Sequence, residues 1–309
     1  PSFDGSFNVS AFIAQEEPAK KTQKIIDYLA SDFEYSASSI DDYLSCPLKF
    51  YFQHVLRVRE KEDLLNEPEG KDIGSFIHDL LDHMYSGFLG KEPVLDAQFE
   101  KQFFAEFQAR FAEEIKKRMG SEAFMVREIM VYRLKKFLEN ERSRKVKSIL
   151  SLEERQPAGF IKFDARPFKF KYRIDRIDLL SNDSILVLDY KTGFSSKGPG
   201  GLDKLEGMEL SRHGIRDNIR SFQLPIYSYF TRDKFKDKPL NAALYNLRSL
   251  ELSYFLDNDN LDTFKRTMEL CLDALGFILA EIISPEVDFY QDKSDERSCQ
   301  HCAFSVLCR

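Results

Sequence analysis

The stretch Phe168–Lys191 reads FKFKYRIDRIDLLSNDSILVLDYK. In its first half Phe168, Phe170, Tyr172 and Ile174 alternate with Lys169, Lys171, Arg173 and Asp175. That period of two predicts a strand, Phe168–Leu180, with one apolar and one polar face. Ser181–Ser184 supplies turn chemistry, and Ile185–Lys191 reads as a second strand whose apolar run ends in Asp189 and Lys191. Residues two apart on a strand point to the same face. A register that sets Asp175 opposite Asp189 is centred on Asn182 and needs an odd-numbered loop such as Ser181–Asp183. A two-residue loop would turn the two carboxylates to opposite faces. Paired carboxylates hold a hard divalent cation through oxygen. Such a cation stabilises charge on a phosphate and acidifies a bound water, and an ammonium beside it orients that water or adds positive charge. The plainer alternative is an ordinary hairpin in which Asp189 pairs with Lys191 or Arg173, an exposed ion pair worth little.

Outward from this hairpin the chain divides by pattern. Upstream, Ile149–Arg155 and Gly159–Asp164 read as strands; downstream, Leu240–Leu247 and Leu250–Leu256 do. Residues 1–35 are mixed and read as an arm or linker. Ser36–Arg57 predicts a helix capped by Ser36 or Ser38 and kinked or divided at Pro47. Glu60–Lys71 is charged and loop-like. Asp72–Leu89 has Ile73, Phe76, Ile77, Leu80, Leu81 and Met84 at helical spacing, and Asp96–Lys147 reads as two or three helices broken near Gly120. Asn218–Phe230 predicts a helix with Pro225 inside it, and Leu261–Ile283 a long amphipathic helix. The order points to a mixed α/β core, Ile149–Leu256, with a mainly helical part (72–147) and a terminal helix and tail (261–309).

The 309 residues, 43% of them hydrophobic, suffice for a sizeable core. The net charge of −6 is not that of a bulk nucleic-acid binder, although a local basic stripe matters more than the total. Arg142–Lys147, with Arg127, Arg133, Lys135 and Lys136, is the candidate stripe; a solvated helix face explains it equally well. The loop Gly193–Gly201, with Lys197, is a second candidate flank of a substrate. No run of about 18 apolar residues predicts a membrane span. Five cysteines, three of them within the last eleven residues, do not look like a disulfide framework. They suit metal binding in a reducing, cytoplasmic setting.

Ile174-Asp175-Arg176-Ile177-Asp178 followed by Leu188-Asp189-Tyr190-Lys191-Thr192-Gly193 resembles the PD-(D/E)XK nuclease superfamily, in particular its RecB/AddB-like branch. Arg173 departs from the glycine usual there. Gly74-Ser75-Phe76-Ile77-His78 resembles the branch's metal-binding histidine helix, and Gln223-Leu224-Pro225-Ile226-Tyr227 its Gln/Tyr helix. Ser36 through Tyr43, Cys46-Pro47 and Phe50-Tyr51 resemble its first helix. The motifs stand in family order across residues 36–308.

The resemblance implies a restriction-endonuclease-like fold over 36–309, a mixed sheet flanked by helices. It implies His78, Asp175, Asp189 and the Tyr190 carbonyl as ligands of Mg²⁺ or Mn²⁺, Lys191 as the group positioning the attacking water, and Gln223 and Tyr227 at the active site. Glu153 or Glu154 is a further candidate acid. Cys46 with Cys299, Cys302 and Cys308 matches the iron–sulfur staple of AddB-type nucleases, a [4Fe–4S] set that tetrahedral zinc could also occupy. Cys271 reads as a core thiol and His301 as a bystander. The implied activity is sequence-independent cleavage of single-stranded DNA or DNA ends within a helicase–nuclease that repairs double-strand breaks. The alternatives are a stand-alone CRISPR-associated-type exonuclease and a non-cleaving DNA-end-binding module.

Overall fold

The structure is a computed structural model and describes residues 18–58, 70–119, 122–155, 159–193, 198–256 and 260–308. Its centre is a five-stranded mixed sheet in the order β2-β5-β6-β7-β8. These strands are β2 Val146–Arg155, β5 Arg173–Leu180, β6 Ile185–Lys191, β7 Leu240–Asn246 and β8 Leu252–Tyr254. Among the described residues of this sheet only the β6–β7 pair is parallel. A second sheet, β1-β4-β3, joins Glu34–Tyr35, Arg166–Phe170 and Gly159–Phe163. The mixed sheets flanked by helices match the expected restriction-endonuclease-like class.

β6 and β7 are buried along nearly their whole length, as strands covered on both faces must be. Ile185 and Val187 face a large core shared with the Leu261–Ile283 helix, the Gln223–Arg232 helix and the second sheet. Tyr190 and Tyr245 face a second core built on the helices Gly70–Tyr85, Ala97–Arg110 and Ala123–Ser143. The sheet is thus sandwiched between two helical layers, and its strand ends meet both.

Several expected elements change at their edges. The single strand Phe168–Leu180 is two strands in two sheets: β4 ends at Phe170, and Lys171–Tyr172 cross to β5. Pro47 divides the first helix, as expected. Ala37–Ser45 is capped reciprocally by Ser36 and Ser39 and is followed by Pro47–Phe50 and a π-helical turn, Tyr51–Val55. The expected helix Asn218–Phe230 is two, Arg212–Ile219 and Gln223–Arg232, broken where Arg220 takes φ 63°. Pro225 then falls in a first turn, where its missing N–H costs nothing. Of the stretch expected as an arm or linker, the part from Pro18 packs onto the domain: Gln23–Ser31 is helical and Leu29, Phe33 and Tyr35 are buried in the large core. Residues 1–17, most of the charged loop 60–71, and 194–197 of the glycine-rich loop lie outside the described residues. No helix among the described residues is long and apolar enough to cross a membrane.

Candidate active site

The β5–β6 hairpin has the register that pairing of the two carboxylates requires. The strands pair from Arg176↔Leu188 to Leu179↔Ile185. Leu180 donates its N–H to Ser184 O (2.9 Å) and Asp183 donates to Leu180 O (3.0 Å). The loop is therefore Ser181–Asp183, with Asp183 at φ 65° in the left-handed position that closes a three-residue hairpin. One residue beyond the paired segment, this register brings Asp175 opposite Asp189. On the other flank Leu152↔Arg176 and Glu154↔Ile174 bracket Glu153, opposite Asp175. Three carboxylates thus form a row across β2, β5 and β6.

Each is engaged differently. Asp175, 5% exposed, accepts the Tyr190 N–H at Oδ2 (2.7 Å) and stands 3.2 Å from His78 Nδ1 at Oδ1. Asp189, 3% exposed, meets Lys191 Nζ at 2.7 Å and accepts from Gln223 Nε2 at 2.6 Å. Gln223 Nε2 also bonds the Tyr227 hydroxyl (3.0 Å), the one-turn spacing that faces the two side chains together. Glu153 is held by Arg173 and lies 3.9 Å from His78 Nδ1. Arg173, the departure from glycine in the motif, therefore restrains an acidic neighbour of the site.

His78 arrives from the Gly70–Tyr85 helix, and Gly74 one turn earlier explains how it gets so close. A Cβ on Gly74 would stand 3.1 Å from Thr192 Oγ1, so a side chain there requires the Thr192 hydroxyl or the helix to give way. His78 Nε2 donates to the Tyr190 carbonyl (3.1 Å). This contact fixes the ring and turns Nδ1 toward the carboxylates, the arrangement by which an outer partner sets a ligating histidine.

The electrostatics report too much negative charge in one place. Burial, and then the Asp175 charge, pushes the Asp189 carboxyl up to about 6 against the opposing pull of Lys191. Burial followed by Asp175 also raises Glu153, despite Arg173. Burial works against the His78 imidazolium, but the hydrogen bond and charge of Asp175, with Asp189 and Glu153 behind it, hold its pKa above the ordinary value. Such mutual repulsion is what a bound cation relieves. Among the described residues, the donor atoms of His78, Glu153 and Asp175 all lie within 4.8 Å of one another. The acid row thus supplies a ligand geometry in which Glu153 joins the expected residues, while Asp189 is occupied by Lys191 and Gln223.

Residue type alone leaves Glu153 and Glu154 as equals, and one backbone angle separates them. Glu153 has φ 46° within β2, a conformation costing a non-glycine residue about 1–2 kcal/mol and one that the surrounding structure must hold in place. Its strand is bulged, with register shifts between Val146 and Ser148 and between Ile149 and Ser151. Neither feature is legible in residue types.

The four expected cysteines are also brought together. Cys46, Cys299, Cys302 and Cys308 line one cavity of about 640 Å³, which His301 lines as well. Cys46 Sγ accepts the Asp292 N–H (3.4 Å), and the Cys299 thiol donates to Asp292 O (3.5 Å). Tyr51 stacks on Phe289 at 5.0 Å and Phe52 meets Phe304 at 5.6 Å, so the first helix and the tail pack through aromatic rings as well. Cys271 is fully buried in the long helix, and burial pushes its thiol up to about 12, which leaves it inert as a core residue.

Several cations of the basic stripe are paired with acidic side chains. Arg144 is half-buried and bonds Glu141 and Asp178 at 2.8 and 2.6 Å. Arg142 pairs with Glu100, Arg127 with Glu128, Lys136 with Glu139 and Lys147 with Asp183. The stripe is linear in sequence but divides between the Ala123–Ser143 helix and the first residues of β2, and Lys135, Arg142, Lys145 and Lys147 stay exposed.

The PD-(D/E)XK nuclease superfamily model matches residues 34–309, and the chain belongs to that superfamily. It is similar to a subunit of the ATP-dependent helicase/deoxyribonuclease of Caldanaerobacter subterraneus subsp. tengcongensis, 24% identical over 212 residues, 60% of this chain and 17% of that protein. The equivalent helicase/deoxyribonuclease subunits of Clostridium perfringens (25%, 56% of this chain and 16% of that one) and Ruminiclostridium cellulolyticum (24%, 62% and 18%) are similar to it as well. The match spans less than a fifth of the length of these relatives. The solved structure of SSO0001 aligns over 76% of this chain and 96% of its own at 17% identity, with a TM-score of 0.26 that is too low to carry an argument.

Proposed function

We propose that this chain is a metal-dependent deoxyribonuclease that hydrolyses phosphodiesters in single-stranded DNA or at DNA ends. The observation that carries the reading is the acid row Glu153–Asp175–Asp189, closed by His78 at one side and Lys191 at the other. The donor set is oxygen-rich with one imidazole, and its carboxylates repel one another, which fits Mg²⁺ or Mn²⁺. Asp175 and His78 Nδ1 would hold the ion, with Glu153, Asp189 and the Tyr190 carbonyl as the remaining candidates. When bound, a divalent cation supplies charge at the phosphate oxygens and acidifies water.

The chain's own residues do the rest. Lys191, restrained by Asp189 at 2.7 Å, orients the attacking water and offsets charge that develops at phosphorus. Gln223 holds Asp189 from its free side, and Tyr227 holds Gln223. His78 is kept in place by the Tyr190 carbonyl.

The cysteine cavity is proposed as a structural [4Fe–4S] site. Four thiols around one cavity suit it. A cluster there would tie Cys46 to the tail, closing a long loop. The relatives, named as subunits of an ATP-dependent helicase/deoxyribonuclease, support a nuclease module of a helicase–nuclease; its proposed role is processing of double-strand breaks in the cytoplasm.

The test is digestion of end-labelled single- and double-stranded DNA by anaerobically prepared protein with Mg²⁺, Mn²⁺ or EDTA. Metal-dependent cleavage lost in Lys191→Ala is the expected result. Binding without cleavage under every condition would replace the nuclease by an end-binding module.

A further inference from the structure

We infer that the two-residue crossover Lys171–Tyr172 is a strand guide: it grips the single-stranded polynucleotide beside the scissile phosphate, Lys171 through a backbone phosphate and Tyr172 through a stacked base. The inference rests on the nuclease reading above and assigns the substrate's path. A cavity of about 720 Å³ is lined by Lys191, Gln223 and Tyr227 of the candidate active site and, facing them, by Lys171 and Tyr172. A second cavity, of about 420 Å³, shares Ser36, Ser38 and Lys171 with the first and runs on to Arg57. Together they form a trough that starts at Lys191 and Gln223, the two residues bonded to Asp189, and passes over the crossover.

Charge along the trough singles out Lys171. Arg173 is tied to Glu153, and Lys191 to Asp189. Lys171 is exposed, and its backbone N–H is anchored to Tyr35 O at 2.8 Å. Its ammonium makes no ion pair among the described residues, because the neighbouring Glu34 is taken by Lys169 at 2.6 Å. The carboxylates on the walls are also accounted for near the active site. Asp41 accepts from the Ser221 hydroxyl (2.6 Å) and the Phe222 N–H (2.9 Å). Asp32 and Glu34 stand in the second cavity only, which confines the anionic backbone to the Lys171 side.

Tyr172 supplies the other half. Its ring stacks on Phe230 at 4.3 Å between centroids and 9° between planes. A ring so held is a rigid aromatic wall with little rotamer freedom left to lose. Bases stack on such walls without regard to sequence, provided they are unpaired. Phosphate grip by one lysine and a sequence-blind stacking surface are the two elements of single-strand binding.

The experiment is fluorescence anisotropy of a short labelled oligothymidylate with the wild-type protein and variants in EDTA, across a salt series, beside metal-dependent cleavage of the same strand. Lys171→Ala is expected to weaken binding several-fold and to reduce the slope of log K against log salt by about 0.7, the contribution of one phosphate contact on a single strand. Lys171→Arg keeps the slope. Tyr172→Leu, which retains an apolar contact for Phe230, weakens oligothymidylate binding about tenfold with the slope unchanged. Lys101→Ala, on the helical layer, serves as the control. A wild-type protein that cuts DNA while Lys171→Ala and Tyr172→Leu bind like it would overturn the guide and leave the nuclease standing. The expected binding losses without cleavage by any protein would do the reverse. An equal loss on a blunt duplex would overturn the single-strand assignment. Lys171 is exposed, so its variants test the proposal even if Tyr172→Leu fails to fold.

Discussion

Replacing Arg176 by methionine should be among the most destabilising single substitutions in this protein. Arg176 lies in the middle of the Ile174–Asp178 motif and is fully buried, 0% exposed. Its Nε bonds Asp178 and its Nη1 bonds Glu141, both at 2.7 Å, over the ring of Tyr85 at 4.7 Å. Arg144 binds the other oxygens of the same two carboxylates at 2.6 and 2.8 Å. Two cations and two anions thus form a neutral quartet inside the helical layer. In Arg176→Met one net negative charge is left there, and Asp178 Oδ1 and Glu141 Oε2 lose their donors. Breaking a buried pair from one side costs about 3–5 kcal/mol, a large part of the roughly 5–15 kcal/mol that holds a domain together. The double variant Arg176→Met/Asp178→Leu removes one charge of each sign and leaves Arg144 with Glu141, so it should recover at least half of the loss. Urea unfolding at neutral pH measures both. A single-variant loss below about 1 kcal/mol, or a double variant no more stable than the single, would refute the reasoning.

Lys191→Ala should lower kcat by about 10²–10³-fold on either DNA form, the usual effect of removing one transition-state donor, with the fold intact by circular dichroism; near-wild-type cleavage would remove Lys191 from the mechanism. Gly74→Val should weaken Mn²⁺ binding, read by isothermal titration, because the added side chain needs room that Thr192 or the His78 helix must give; unchanged affinity would deny that close approach its role. Burial first, against bonds from Ser221 and Phe222, raises the Asp41 carboxyl to about 7. The native state then holds a proton that the unfolded chain, near 3.8, has released. Stability from this group is complete below about pH 4 and fades as pH rises through about 7, a loss of order 2–4 kcal/mol. Asp41→Asn should flatten that slope in denaturation curves taken between about pH 5 and 8, and an unaltered slope would point to another group. Cys302→Ser should abolish bound iron and sulfide in anaerobic protein and lower its thermal midpoint; zinc recovered in stoichiometric amount from the wild type would displace the cluster reading.

Most of the site was legible because its signals are local. A strand's period of two places Asp189 and Lys191 on one face, and an odd loop fixes Asp175 against Asp189; both are arithmetic on neighbouring residues, and the structure keeps both. Helical spacing put Gln223 and Tyr227 on one face, where they bond each other, but their place beside Asp189 was implied only by the resemblance to the family. Glu153 was not separable from Glu154, since the choice depends on bulges and a left-handed backbone set by packing of β2 on β5. Charge counts do not reveal partners within the basic stripe: Arg144 finds Asp178 across 34 residues.

The sequence by itself placed the hairpin strands, most of the helices and the order of the motifs, and tied the pairing of Asp175 with Asp189 to an odd-numbered loop, because these follow from periodicity, turn chemistry and capping within short windows. Only the tertiary structure decided which acids face one another, which cations stay free, and where the chain changes sheets. The alternation from Phe168 to Ile174 continues through Lys171 and Tyr172 without a sign of interruption. The break there comes from β4 pairing with β1 and β3 while β5 pairs with β2 and β6. Two residues cannot serve both sheets, so they turn out beside the site, a consequence of long-range pairing that no local pattern encodes.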